Sequence, residues 1–260
     1  MDEKIETYVL KIYRGNPGHQ YWEEFELMLV PYANVISSLM EIQKNPVNRQ
    51  GVKVEPVVWE SGCLEEVCGS CSMLINGKPR QACTALIEVI IRQTNNRTIT
   101  LAPFSKFPLV RDLIVDRSSM FENLKKVHAW IDTDGAFNRG PGPKISQKNQ
   151  EVMYALSTCM TCGCCVEACP QMNNKSKFVG PAIISQVRLF NANPTGKMQK
   201  SRRLRPLMEE GGVADCGNAQ NCVRVCPKNI PLTDSIADMG REVNIEALRG
   251  LFSLPERDGQ

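Results

Sequence analysis

At the start of the chain Ile5, Thr7, Val9 and Lys11 fall at a spacing of two, and Phe25, Leu27 and Leu29 repeat it. That is the period of a strand with one face buried, so two strands are expected to open the chain as a hairpin. Next, Val35, Ile36, Leu39, Met40 and Ile42 follow a helical period behind Asn34, a suitable N-cap, and the helix must stop before Pro46. Strand-like runs return at residues 54–59, at Met73-Leu74-Ile75 and at residues 98–101 before Pro103. Asn76-Gly77 closes the second of these and signals a hairpin, because both residues tolerate the positive φ of a two-residue turn. Up to Val115 the pattern therefore predicts a sheet with a helix laid across it.

The period then changes. Met120, Leu124, Val127 and Ile131 lie at helical spacing, as do the apolar positions of residues 182–190, behind Pro181 at a first-turn position that needs no N–H. Residues 132–150 contain Gly135, Gly140, Pro141, Gly142 and Pro143, a composition that resists regular structure and reads as a surface connector. The expected fold class is α+β, with a sheet-containing domain over residues 1–115 and a mostly helical one over residues 116–260.

The 260 residues give room for two modest domains, and 23% charged with 42% hydrophobic residues is ordinary globular usage. With Lys+Arg 31 against Asp+Glu 28 the balance is too near neutral for a dedicated nucleic-acid binder. The best apolar run, residues 86–91, is interrupted by Glu88 and far shorter than a membrane span of about 20 residues. Met1-Asp2-Glu3-Lys4 is no basic leader and no twin Arg follows, so the thiols are expected in a reducing cytoplasm. Charge is uneven in one place: residues 170–206 hold eight Lys or Arg and no Asp or Glu. Such a stretch suits anionic lipid headgroups or an acidic partner, or forms an ordinary solvated face.

Twelve cysteines in a reducing compartment call for chemistry other than disulfides. Cys63-x4-Cys68-x2-Cys71, with Cys83 twelve positions later, has the spacing of plant-type 2Fe-2S ferredoxins. The loop must turn backbone N–H groups toward the cluster sulfurs, and Gly62 and Gly69 permit such a path. A zinc site matches poorly, since zinc modules usually present Cys-x2-Cys pairs on separate arms. The second group, Cys159-x2-Cys162-x2-Cys165-x3-Cys169-Pro170, is the run of bacterial ferredoxins, whose fourth cysteine serves the other cluster. Its partner run is Cys216, Ala219, Cys222-x3-Cys226-Pro227, with alanine at the second ligand position. Crossing the ligands gives Cys159, Cys162, Cys165 and Cys226 for a 4Fe-4S cluster. Cys169, Cys216 and Cys222 are left for a 3Fe-4S cluster, or for a cubane whose fourth iron binds water. Cys164 remains as a small residue packed beside a cluster.

Nothing else in the chain suggests substrate chemistry. There is no G-x-G-x-x-G after a strand and no P-loop, and the two histidines are His19, in a Gly/Pro turn, and His128, in a predicted helix beside Trp130. Three clusters without a catalytic constellation describe a conduit whose chemistry happens in other chains, so no catalytic residue is assigned.

A plant-type ferredoxin domain followed by a helical bacterial-type one lacking a ligand resembles the iron-sulfur subunit of succinate dehydrogenase and fumarate reductase. The resemblance runs almost end to end, through Cys68-Gly69-Ser70-Cys71, Ile75-Asn76-Gly77, Ala82-Cys83-Thr84, Lys177-Phe178-Val179-Gly180-Pro181-Ala182 and Asn221-Cys222-Val223-Arg224-Val225-Cys226-Pro227. It implies a β-grasp fold for the first domain and a flavoprotein partner carrying FAD. It also implies a membrane-anchor cytochrome b subunit with haem b, and electrons that pass through 2Fe-2S, 4Fe-4S and 3Fe-4S clusters to quinone. The chain is then peripheral on the cytoplasmic side of a bacterial inner membrane. Members that reduce ubiquinone often carry histidine where Gly217 stands and tryptophan shortly after the equivalent of Cys169-Pro170, where Gln171 to Asn174 stand here. The pattern looks more like menaquinone-linked relatives. Leu64 and Glu66 stand where an Arg and a Gly are common. The same subunit in a fumarate reductase, or a soluble multi-cluster carrier, are the alternative readings.

Overall fold

The structure is a computed structural model and describes residues 6–132 and 144–252. Ile5 and the Gly/Pro cluster from Gly135 to Pro143 lie outside the described residues. The chain divides into two compact units. The first comprises Met1–Ser119, Met160–Ala168 and Val225–Pro227, and the second Met120–Cys159, Cys169–Arg224 and Lys228–Gln260.

In the first unit, strands β1 (Thr7–Asn16) and β2 (His19–Met28) form the hairpin that the alternation predicts, paired from Thr7↔Met28 to Asn16↔His19. Helix α1 (Val35–Lys44) starts at Asn34, whose side chain accepts from the Ser37 N–H while the Ser37 hydroxyl accepts from the Asn34 N–H, a reciprocal cap. β3 (Ser72–Ile75) and β4 (Lys78–Gln81) close on Asn76-Gly77, with φ of 48° and 73°. Helix α2 (Ile87–Thr94) and strand β5 (Thr98–Ala102) follow, then the short pair β6 (Leu109–Arg111) and β7 (Ile114–Val115). The five-stranded sheet runs β2-β1-β5-β3-β4, with β5 parallel to β1 and the other pairings antiparallel. Leu10, Ile12, Phe25, Met73, Ile99 and Leu101 from the sheet meet Ile36, Leu39 and Ile42 of α1 in one core, which also takes in Cys71 and Cys83.

Residues 54–59 are not a strand. Pro56 has no N–H to give a ladder, and the neighbouring backbone groups bond elsewhere: the Val54 N–H to Pro46 O and the Val58 N–H to an Asp112 carboxylate oxygen at 2.8 Å. Asp112 is a junction. Its other oxygen accepts from the Gly15 N–H at 2.7 Å, and Arg14 reaches it at 3.3 Å while bonding Glu23 at 2.6 Å. Arg14 and Asp112 are each 2% exposed. Burial presses the Arg14 pKa down, yet the two carboxylates outweigh it and raise the pKa above the ordinary arginine value.

The second unit is helical. Helix Ser118–Lys126 stops short of Ile131, because the chain turns out of it at His128, whose φ is 50°. Helix Gln147–Ser157 takes over the end of the predicted connector, Pro181–Ala192 begins on its proline, and Lys200–Met208 and Leu232–Phe252 complete the set of longer helices. Val127, Phe178, Ile183, Ile184, Val187, Leu204 and Leu207 fill its core.

The basic stretch is largely committed within the unit. Arg203, expected as a surface cation, is 1% exposed and bonds Asn191, Trp130 O and Gly196 O. Lys177 pairs with Glu210, Arg188 with Asp238, Lys200 with Glu242 and Arg202 with Asp132. Among the described residues no helix is long and apolar enough to cross a membrane.

Replacing Asp112 with Ala would leave Arg14 with one carboxylate partner and orphan two backbone N–H groups. Breaking a buried pair of this kind costs about 3–5 kcal/mol, and denaturant unfolding of Asp112→Ala against the parent should show a loss of that order.

Candidate iron-sulfur sites

Three of the first cysteine group, Cys63, Cys68 and Cys71, sit on the loop between α1 and β3, and Cys83 follows β4. The Cys63 sulfur accepts N–H bonds from Glu65 at 3.3 Å, Val67 at 3.2 Å and Cys68 at 3.3 Å, and the Cys63 N–H donates to the Cys68 sulfur at 3.4 Å. The loop reaches this geometry by left-handed residues: Leu64 at φ 62°, Glu66 at 56° and Gly69 at 75°. Two of these are not glycine, and Glu66 is tied down by a 2.8 Å bond from the Thr84 hydroxyl. Cys83 and Cys71 are buried and hydrogen-bonded to each other, and Cys63 lies close enough to act on Cys83 electrostatically. Hydrogen bonds therefore pair Cys63 with Cys68 and Cys71 with Cys83, and a sulfur ringed by N–H donors fits a group that gains negative charge on reduction.

Electrostatics separates these thiols. Bonds from the Ser70 side chain and from the backbone N–H groups of Cys63 and Ser70 hold Cys68 down to about 6, whereas burial pushes Cys83 up to about 11.

Also in the first unit, residues 160–168 fold against the loop just described. Thr161 (φ 52°) and Gly163 (φ 89°) turn the chain into the helical turn Cys164–Glu167. Glu167 accepts from the Ser105 hydroxyl at 2.7 Å and the Lys106 N–H at 3.1 Å, which anchors the turn to the sheet-bearing segment. Arg117 donates to Gly69 O and Ser70 O, both at 2.9 Å, bracing the first loop from below. A bond from the Cys164 thiol brings Cys162 down to about 7, and Cys164, giving that bond while buried, lies far above the usual thiol range. Cys162, Cys165 and Cys226 belong to the first unit, while Cys159 follows helix Gln147–Ser157 in the second.

In the second unit Cys169, Cys216 and Cys222 line one cavity of about 290 Å³. Its floor is the loop Gly217 to Asn221, in which Asn218 and Gln220 are left-handed at φ 51° and 59°, and Ala219 lines it where a fourth thiol would stand. Burial raises the Cys222 thiol, with Cys169 and Cys216 near enough to add to the effect. Three thiols and a bare alanine around one cavity fit a cluster short of one protein ligand.

Gln81, Arg117, Glu167 and Ser72 were not singled out from the sequence, because a lone glutamine, arginine, glutamate or serine carries no spacing signal.

The class of protein follows from these sites and two family matches: residues 9–122 match the 2Fe-2S iron-sulfur cluster binding domain and residues 155–230 the 4Fe-4S dicluster domain. The chain is an iron-sulfur protein with one plant-type and one dicluster domain. It is 60% identical to the succinate dehydrogenase iron-sulfur subunit of Bacillus subtilis over 89% of this chain and 90% of that one. It is 31% identical to the fumarate reductase iron-sulfur subunit of Wolinella succinogenes, over 70% of this chain and 75% of that one. The chain belongs to the succinate dehydrogenase and fumarate reductase iron-sulfur subunit family. A chain in a structure titled Mycobacterium smegmatis Sdh1 complex in the apo form shares the fold, with a TM-score of 0.79 at 21% identity over 94% of this chain and 98% of that one.

Two outcomes are expected. Gly69 has φ 75° and a Cβ placed there would lie 2.9 Å from the Cys162 Cβ and 3.0 Å from Met160 O, so Gly69→Ala should strain the loops by about 1–3 kcal/mol and lower iron content. In the cluster-free chain, Cys68 alkylation read by peptide mass spectrometry should reach half its maximal rate near pH 6, rising with pH as the thiolate forms, while Cys83 lags to about pH 11.

Proposed function

We propose that this chain is the electron-relay subunit of a succinate:quinone oxidoreductase. In this reading Cys63, Cys68, Cys71 and Cys83 hold a 2Fe-2S cluster, Cys159, Cys162, Cys165 and Cys226 a 4Fe-4S cluster, and Cys169, Cys216 and Cys222 a 3Fe-4S cluster. Residues 1–115 form the first cluster domain and residues 116–260 the second. When bound, the clusters supply one-electron carriers between the FAD of a flavoprotein subunit and a quinone at a membrane anchor with cytochrome b.

The chain's own work is to hold sulfur and place donors around it. The N–H groups of Glu65, Val67 and Cys68 stabilise charge on the Cys63 sulfur, and the left-handed residues Leu64 and Glu66 aim them. Ala219 withholds a ligand in the cavity that Cys169, Cys216 and Cys222 line, which is the observation that carries the three-iron reading. Identity of 60% to a succinate dehydrogenase subunit, against 31% to a fumarate reductase one, favours succinate oxidation as the direction. Gly217 in the cavity lining offers no imidazole, and residues 171–174 hold no tryptophan, which favours menaquinone held chiefly by the anchor. The chain would lie peripherally on the cytoplasmic face of a bacterial inner membrane.

Native purification from membranes tests this reading. It should bring down a flavoprotein and a haem-containing anchor, with about nine non-haem irons per relay chain and the paramagnetic signal of an oxidised three-iron cluster. Ala219→Cys should supply the missing thiolate, remove that signal and raise the non-haem iron toward about ten. A parent protein already at about ten non-haem irons, with no three-iron signal, would refute the assignment.

A further inference from the structure

The side-chain amide of Gln81 is fully buried and touches both ligand loops of the first unit. Its Nε2 donates to the Ser72 hydroxyl at 2.8 Å and to the Cys164 sulfur at 3.7 Å, and its Oε1 lies 3.5 Å from the Cys71 sulfur. The orientation is fixed by hydrogen count. Ser72 spends its one hydrogen on Gly69 O at 2.6 Å, so toward Gln81 it can only accept, which puts Nε2 on the Ser72 and Cys164 side and Oε1 on the Cys71 side. Cys164 accepts from Gln81 and passes its own hydrogen to the Cys162 sulfur.

The amide is therefore an oriented dipole in a dry interior. Its negative end faces Cys71, of the proposed two-iron set. Its positive end, extended through the Cys164 S–H, faces Cys162, of the proposed four-iron set. Hydrogen bonds to the sulfurs are among the determinants of cluster potential, and outer-shell partners act through the ligand they touch.

We propose that Gln81 is a positioning residue that sets the two potentials apart, disfavouring added negative charge at the Cys71 site and, with Cys164 as its extension, favouring it at the Cys162 site. The inference rests on the ligand sets proposed above, and it gives Cys164 a role as a hydrogen-bond donor rather than a ligand.

The test is a redox titration followed by electron paramagnetic resonance on the assembled complex. In Gln81→Leu, which keeps the volume and removes the dipole, the two-iron midpoint should rise and the four-iron midpoint should fall, with the three-iron midpoint unmoved as an internal reference. In Cys164→Ala the four-iron midpoint alone should fall, and Cys164→Ser, which restores a donor, should bring it back. Midpoints that stay put, or that shift in the same direction, in Gln81→Leu at normal iron content would overturn the proposal. Should Gln81→Leu fail to load its clusters, the Cys164 pair decides: an unmoved four-iron midpoint in Cys164→Ala overturns it. A loss of the four-iron cluster in Cys164→Ala makes Cys164 a ligand and overturns it as well. Failure of the underlying ligand sets shows separately, as a parent complex without two-iron and four-iron signals.

Discussion

Sulfur that must take up negative charge inside a protein needs N–H groups aimed at it, and a backbone in ordinary strand or helix geometry has none to spare. The local structure of this chain follows from that need. Around Cys63 three backbone N–H groups of one loop point at the sulfur, at the cost of holding Leu64 and Glu66 in a conformation that side chains rarely adopt. Around Cys216 and Cys222 left-handed backbone recurs at Asn218 and Gln220. The sheet, the helix α1 and the Arg14–Asp112 junction supply rigidity against which such loops stay in place.

The sites also differ in what surrounds the sulfur. The exposed Cys68 is acidified by hydrogen bonds, and the buried Cys83 and Cys222 are pushed the other way by desolvation. Those shifts describe bare thiols, and they mark which positions are wet and which are dry.

Much of the fold was legible from local pattern. The opening hairpin, the Asn34-capped helix and the Asn76-Gly77 turn each rest on chemistry confined to a few consecutive residues, and each is present. Residues 54–59 misled because β-branched residues and Trp59 mimic a strand, whereas Pro56 and the pull of Asp112 from 54 positions away decide the outcome. Helix α2 was hidden because residues 86–91 read only as a short apolar run, and length alone does not distinguish helix from strand there. The cysteine groups were visible through spacing, which is a one-dimensional signal. Gln81, Arg117 and the burial of Arg203 depend on contacts between distant segments, and no pattern along the chain encodes them.

The central claim is that three cysteine sets of four, four and three thiols define three different clusters in one chain. Mössbauer spectroscopy of the purified complex, grown on iron-57, counts irons by cluster type without relying on activity. The account predicts three sets of signals in proportions of about 2:4:3 after the haem contribution is subtracted. Equal four-iron populations from both bacterial-type cysteine sets, or a complex with no two-iron component, would contradict it.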